Sequence, residues 1–186
     1  MEKVPLSTDF GLKGFMINIR EERKNDHEAI KEVNDKAFNR PQEGVVINKI
    51  RKSGAKVLSL VATIENKIVG HILFSTVEIK GHEKRMVGMG LAPMAVLPKY
   101  QKQGIGSMLI KEGVKRLKKR SVPFVIVLGH EHYYPKFGFE KASKYGLRCQ
   151  WKDVPDEAFM VLILDNDVMK NIHGIAKYRE EFNEAM

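Results

Sequence analysis

The residues best suited to chemistry lie in one stretch, Met94-Ala95-Val96-Leu97-Pro98-Lys99-Tyr100-Gln101-Lys102-Gln103-Gly104-Ile105-Gly106-Ser107. An apolar, strand-like segment runs into a glycine-containing turn and then into a strongly amphipathic helix pattern. Gly104 and Gly106 allow an anion to approach the backbone closely. The first N–H groups of the helix have no internal partners and face that anion, and the helix dipole favours its charge. Lys99 and Lys102 flank the turn, so a pyrophosphate is the natural guest. The spacing is not that of a P-loop, which needs Gly-x4-Gly-Lys-Ser/Thr, nor the Gly-x-Gly-x-x-Gly of a dinucleotide site.

Other reactive residues carry weaker signals. His130-x-His132 suggests a metal pair, since two rings one residue apart on a strand share a face. A zinc site needs three or four ligands, however, and no neighbouring cluster supplies the rest. Cys149 is the only cysteine, which excludes a disulfide scaffold, and no sequence neighbour marks it as a nucleophile. The run Lys115–Arg120 is basic, but it falls in the last turn of a helix, where cations complement the dipole. Without interleaved aromatics it reads as a solvated face rather than a nucleic-acid surface.

The elements that must position these groups follow from periodicity. Phe15–Arg20 reads as a first strand. Asp26 reads as the cap of a helix to about Phe38, with Ile30, Val33 and Phe38 inward. Pro41 opens a second helix with Val45, Val46 and Ile50 inward, stopped at Gly54. Period two then takes over in Val57–Ile64, in Ile68–Lys80 after an Asn66-Lys67 turn, and in Met86–Val96 after Gly81-His82-Glu83. Pro93 requires a bend or bulge in the last of these. Gln103–Arg120 is the clearest helix, Phe124–Leu128 a buried strand, Tyr133–Phe137 a short turn closed by Gly138, and Phe159–Leu164 another strand. Residues 1–14 read as a loose lead-in, and Asp167–Met186 as a polar tail with one weak helix near Tyr178–Phe182. The result is an α/β (α+β) arrangement: a single mixed, mostly antiparallel sheet flanked by helices.

With 186 residues, 43% hydrophobic and 30% charged, the chain reads as a single domain, 1–186, with a core of its own. No apolar run approaches the roughly 18 residues that span a bilayer, and no secretory leader is evident, so a cytoplasmic setting and no membrane partner are expected. The net charge of +9 favours anionic partners.

Val96-Leu97-Pro98-x-x-Gln101-x-x-Gly104-Ile105-Gly106-x-x-Leu109 resembles the acetyl-CoA loop of the GNAT N-acetyltransferase superfamily. Downstream, Tyr134-x-x-Phe137-Gly138-Phe139 is similar to that family's Tyr-x-x-x-Gly-Phe element. One helix and one strand separate the two, as the family requires. The resemblance covers about residues 15–164 and leaves 165–186 as an appendage. It implies the acyl-CoA N-acyltransferase fold and direct transfer of acetyl from acetyl-CoA, without metal, to an amine on a small molecule or protein. It also implies pantetheine on Met94, Ala95 and Val96, with the Val96 N–H facing the thioester oxygen. Pyrophosphate would lie on the amides of Gln101, Lys102, Gln103, Gly104, Ile105, Gly106 and Ser107, and Tyr134 would be the general acid. Many relatives carry a carboxylate base on the fourth strand. Met86–Met94 has none, which leaves Glu78, His130, Glu131, His132 or a water chain. That gap keeps a second reading open, a non-catalytic acyl-CoA-binding module. Arg40–Lys52 and Lys144–Asp156 are the expected acceptor regions. The strand edges and Phe159–Leu164 leave a homodimer open.

Overall fold

The structure is a computed structural model that describes residues 16–81, 83 and 85–184. The expected lead-in, Phe15 and His82 of the expected turn lie outside the described residues. Strand β1 (Ile17–Glu21) is followed by a 3₁₀ turn, α1 (His27–Phe38) and α2 (Gln42–Lys52). Asp26 does not cap α1 with its side chain. Its carboxylate instead accepts from the Arg23 N–H at 2.6 Å and from the Arg20 guanidinium, tying β1 to the start of the helix. In α2 the inward apolar residues are Val46, Ile47 and Ile50, whereas Val45 is exposed. The stripe therefore runs i, i+1, i+4, one position later than the sequence pattern suggests.

Strands β2 (Val57–Ile64), β3 (Lys67–Lys80) and β4 (Met86–Val96) form an antiparallel meander. The β2–β3 turn is Glu65-Asn66, both left-handed at φ +48° and +66°, one residue earlier than expected. Such mirror-image two-residue turns match the twist of paired strands. Helix α3 (Ile105–Lys119) then crosses to β5 (Phe124–Leu128), which runs parallel to β4. Beyond a 3₁₀ turn at Tyr134–Phe137 come β6 (Glu140–Lys141), β7 (Leu147–Cys149), β8 (Phe159–Ile163), α4 (Asn166–Met169) and β9 (Gly174–Lys177). A final 3₁₀ turn spans Glu180–Glu184. The sheet order is β1-β2-β3-β4-β5-β8-β6, with β9 pairing both β3 and β7. Residues 166–184 are thus not a polar tail. They add a strand to the sheet and bury Met169, Ile172, Ala176, Tyr178 and Phe182.

The helices lie on opposite faces, as consecutive residues of β3 show. Gly70 lies under Ile105 and Leu109 of α3, whereas the next residue, His71, touches Asn34 of α1. His71 is fully buried in a polar cluster that joins four elements to the loop after β1. Asn34 donates to the Ile30 carbonyl at 2.8 Å and contacts His71 Nδ1 at 3.1 Å. With that amide orientation Nδ1 accepts, so Nε2 carries the proton and faces the Ser59 oxygen at 2.9 Å. Ser59 in turn donates to Glu22, which Arg51 holds through two bonds of 2.8 Å. Burial pushes the His71 imidazole down to about 3, so the ring is neutral. Burial alone would raise the Glu22 carboxyl, but hydrogen bonds from Arg51 and Ser59 outweigh it and hold the group below the usual carboxylate range.

Candidate functional site

The site begins with a fault in β4. On β3, Ile72 and Phe74 oppose Met94 and Leu91, so two residues between the anchors on β4 face one on β3. The inserted residue falls at Ala92-Pro93, whose peptide bond is cis. This is the bulge that Pro93 requires. The parallel pairing of β4 with β5 ends at Leu91 and Val127, immediately before it. From there the two strands part.

Residues of β4 beyond the bulge are set by register. The Leu97 N–H donates to the Val69 carbonyl at 2.9 Å, so Leu97 and Val69 form a bonded pair. Bonded and non-bonded pairs alternate along an antiparallel ladder. Ala95, opposite His71, therefore bonds to β3, while Met94 and Val96, opposite Ile72 and Gly70, turn their main-chain groups toward the gap. The Gln101 side chain donates to the Val96 carbonyl at 3.0 Å, which leaves the Val96 N–H aimed at the opening. Ala95 is almost wholly buried and does not line the gap.

The gap leads to the N-terminus of α3. Gly104 precedes the first helical residue with φ +86°, a conformation that L side chains avoid, and a Cβ there would meet nothing within 4 Å. Its glycine is demanded by conformation, not by space. Gly106 differs: a Cβ there would stand 2.8 Å from the Tyr133 hydroxyl, which also lies 3.5 Å from Ser107 Oγ. Gly106 thus makes room for Tyr133, a residue that no spacing signal marks beyond its place next to Tyr134. Lys102 is left-handed as well, at φ +59°. Lys99 instead lies over the Tyr100 ring at 4.7 Å, and Gln103 spends its amide on the Lys99 carbonyl.

Met94, Val96, Gln101, Lys102, Gly104, Ile105, Gly106, Ser107 and Tyr134 line one cleft of about 760 Å³. Ala95 and Gln103 do not. Tyr134 is brought to the wall by its 3₁₀ turn, with its ring edge-on to Tyr133 and Phe139. Gly129 leaves the space for that ring, since a Cβ there would fall 2.3 Å from Tyr134 Cε2. Burial, reinforced by Tyr133, raises the Tyr134 phenol well above its ordinary value, so it holds its proton at neutral pH.

Of the base candidates, only His130 reaches the cleft. Glu78 is engaged by Lys80 and Arg85 on the surface of β3, and Glu131 pairs with exposed His132. Residues 130–132 form a turn rather than a strand, and among the described residues no group of three His, Cys, Asp or Glu side chains is placed to hold a metal. Phe38, Arg40, Glu43, Val46 and Phe182 line the same cleft. Part of Arg40–Lys52 is therefore at the site. Of the other expected acceptor region, Lys144 and Tyr145 line a separate hollow of about 380 Å³, and Trp151 packs on Tyr178. Glu43 and Phe182 carry no motif; only Glu43's position, just after Pro41 in the α1–α2 region, pointed toward the cleft.

A family model described as an acetyltransferase (GNAT) domain matches residues 18–142. The chain is 35% identical over 166 residues to "Uncharacterized N-acetyltransferase YhbS" of Escherichia coli K12, covering 89% of this chain and 98% of that protein. It is 40% identical over 122 residues to "Uncharacterized N-acetyltransferase YjhQ" of the same strain, covering 64% and 67%. Among solved structures, YhbS of E. coli in complex with CoA superposes with a TM-score of 0.85 at 32% identity, over 95% of this chain and 96% of that one. A GNAT family acetyltransferase from Brucella melitensis in complex with acetyl-CoA gives 0.74 at 33% identity, over 90% and 98%.

Proposed function

The chain belongs to the GNAT acetyltransferase family, and on that premise we propose that residues 1–186 form one domain that moves the acetyl group of acetyl-CoA to an amine by direct attack in a ternary complex. The observation that carries this reading is the parting of β4 from β5 at the Ala92-Pro93 bulge, with the Val96 N–H turned into the gap and the N-terminus of α3 at its end. The CoA and acetyl-CoA complexes of the two similar structures support the choice of ligand. We place the reaction in the cytoplasm, in keeping with a single, unpaired cysteine.

In this reading the pyrophosphate accepts hydrogen bonds from the amides of the 101–107 loop, with Lys102 adding charge. The pantetheine arm takes the strand position that β5 vacates, against the main chain of Met94 and Val96. The Val96 N–H donates to the thioester oxygen and strengthens its hold as that oxygen becomes an oxyanion, which lowers the barrier to attack. The amine first passes its ammonium proton to His130 or a water chain in the cleft and then attacks the acetyl carbon. The C–N bond forms, the C–S bond breaks, and the second proton the nitrogen loses leaves by the same route and replaces the one Tyr134 gives up. Tyr134 donates its phenolic proton to the departing sulfur. Burial holds the proton on Tyr134 until the C–S bond breaks, and because the same burial disfavours a free thiolate there, the departing sulfur is what draws the proton across.

Calorimetric titration with acetyl-CoA, CoA and ATP, followed by an amine screen that reads released thiol, tests the reading. Binding of acetyl-CoA and CoA but not ATP, with thiol released only when amine is present, is the expected result. Failure of acetyl-CoA to bind overturns it; binding without turnover across the amines favours the non-catalytic module.

A further inference from the structure

Glu43 stands out at the acceptor end of the cleft. It is 7% exposed, it lines the cleft, and its carboxylate is satisfied on one side only. Both Arg40 donors, Nε and Nη2, go to Oε1. Oε2 is buried without a hydrogen-bond partner. An ionised carboxylate has about four acceptor sites, and leaving a buried one empty costs free energy that folding alone does not recover. A ligand that donates at this point would recover it. The guest must be a donor, because carboxylate oxygens only accept, and a cationic donor adds charge attraction to that bond.

The surroundings define the rest of that guest. Phe38 at the end of α1, Val46 one turn beyond Glu43 on α2, and Phe182 from the last 3₁₀ turn give the cleft apolar lining on the elements that carry or adjoin Glu43. We propose that Glu43 is the acceptor-binding carboxylate of the cleft: it receives the ammonium group of a primary amine carried on an apolar alkyl or arylalkyl skeleton, which packs on Phe38, Val46 and Phe182. The assignment rests on the acetyltransferase reading and narrows its acceptor from any amine to an apolar one. Arg40 acts as a positioning residue. Its half-exposed guanidinium holds Oε1 through both donors and leaves Oε2 as the oxygen without a partner.

The test uses the full chain saturated with CoA, so that no turnover occurs. Binding of 2-phenylethylamine is compared by calorimetry with binding of its neutral isostere, 2-phenylethanol. The wild-type protein should prefer the amine about 10- to 100-fold, the worth of a hydrogen bond to a charged group. In Glu43→Gln the preference should fall to within about twofold, because the amide keeps an oxygen for Arg40 but presents an NH₂ where Oε2 stood. CoA affinity should not change. An amine that binds no better than the alcohol, or a preference that survives in Glu43→Gln, overturns the assignment while leaving the transferase reading intact. Failure of CoA to bind in the first titration overturns the transferase reading and this assignment with it. The wild-type comparison decides the matter even if the variant does not fold.

Discussion

Gly104→Val isolates the part played by one backbone conformation. Gly104 sits at φ +86°, just before the first helical residue, and a Cβ there meets nothing within 4 Å. Valine therefore suffers no clash. Its penalty is conformational, about 1–3 kcal/mol for a side chain held in the left-handed region. The loop is exposed, while α3 is anchored by buried Ile105, Leu109, Ile110 and Leu117, so the loop gives way and the helix stays. Relaxation to negative φ swings the neighbouring N–H groups off the anion. Loss of two hydrogen bonds to a pyrophosphate, at roughly 1.5–3 kcal/mol each, lowers affinity for acetyl-CoA by at least about 100-fold. The melting temperature should fall by no more than roughly 12 °C, the full strain at about 2–4 °C per kcal/mol. Calorimetry and a thermal melt on the same sample measure both. Gly104→Asn serves as the internal control, because asparagine tolerates the left-handed region and should keep most of the affinity. Acetyl-CoA bound by Gly104→Val within about threefold of wild type would refute the reasoning, as would an asparagine variant as weak as the valine one.

Three further outcomes are expected. Tyr134→Phe should lower the rate of thiol release by about 10²–10⁴, the usual worth of a general acid, while acetyl-CoA affinity stays unchanged; an unaltered rate would remove Tyr134 from the mechanism. Gly106→Ala should destabilise the protein by about 1–3 kcal/mol through contact with the Tyr133 hydroxyl, and Tyr133→Phe should recover much of that loss, as read by urea denaturation of the two single variants and the double variant. His71, at about 3 in the fold against 6.5 unfolded, makes the unfolded chain bind the extra proton between those values. Its contribution to stability is therefore complete above pH 6.5 and declines as pH falls. At 1.36 kcal/mol per unit the loss is roughly 2–3 kcal/mol by pH 4.5. Urea denaturation at pH 6.5, 5.5 and 4.5 should show a slope steeper by about one proton in wild type than in His71→Gln, and equal slopes would place the ring outside the buried network.

The elements with many residues in one period were legible in the sequence. Residues 57–64, 86–96 and 124–128 are strands with the expected bounds, because each repeats its pattern over five or more positions. Strands β6, β7 and β9 were not legible. At two to four residues each they exist only through partners far along the chain, such as Glu78 opposite Lys177. The same distinction divides the site. One part of the cleft is continuous in sequence, from the bulge through the loop into α3, and the expected residues line it apart from Ala95 and Gln103. Ala95 stands off the cleft because alternation sends its backbone to β3, and the Gln103 side chain because it donates to the Lys99 carbonyl. The rest of the cleft lining gathers Phe38, Glu43 and Phe182 from three separate segments, and no local pattern links them.

Phe182 gives the cleft a schedule. During vectorial synthesis at about 5–20 residues per second, Phe182 is added roughly 3–11 s after Leu128 completes β5. Strand β9 reaches its place on β3 in that same late interval. The nascent chain therefore has β4, β5 and the start of α3 in hand, and with them the 101–107 loop, before Phe182 has been added to the lining of the cleft.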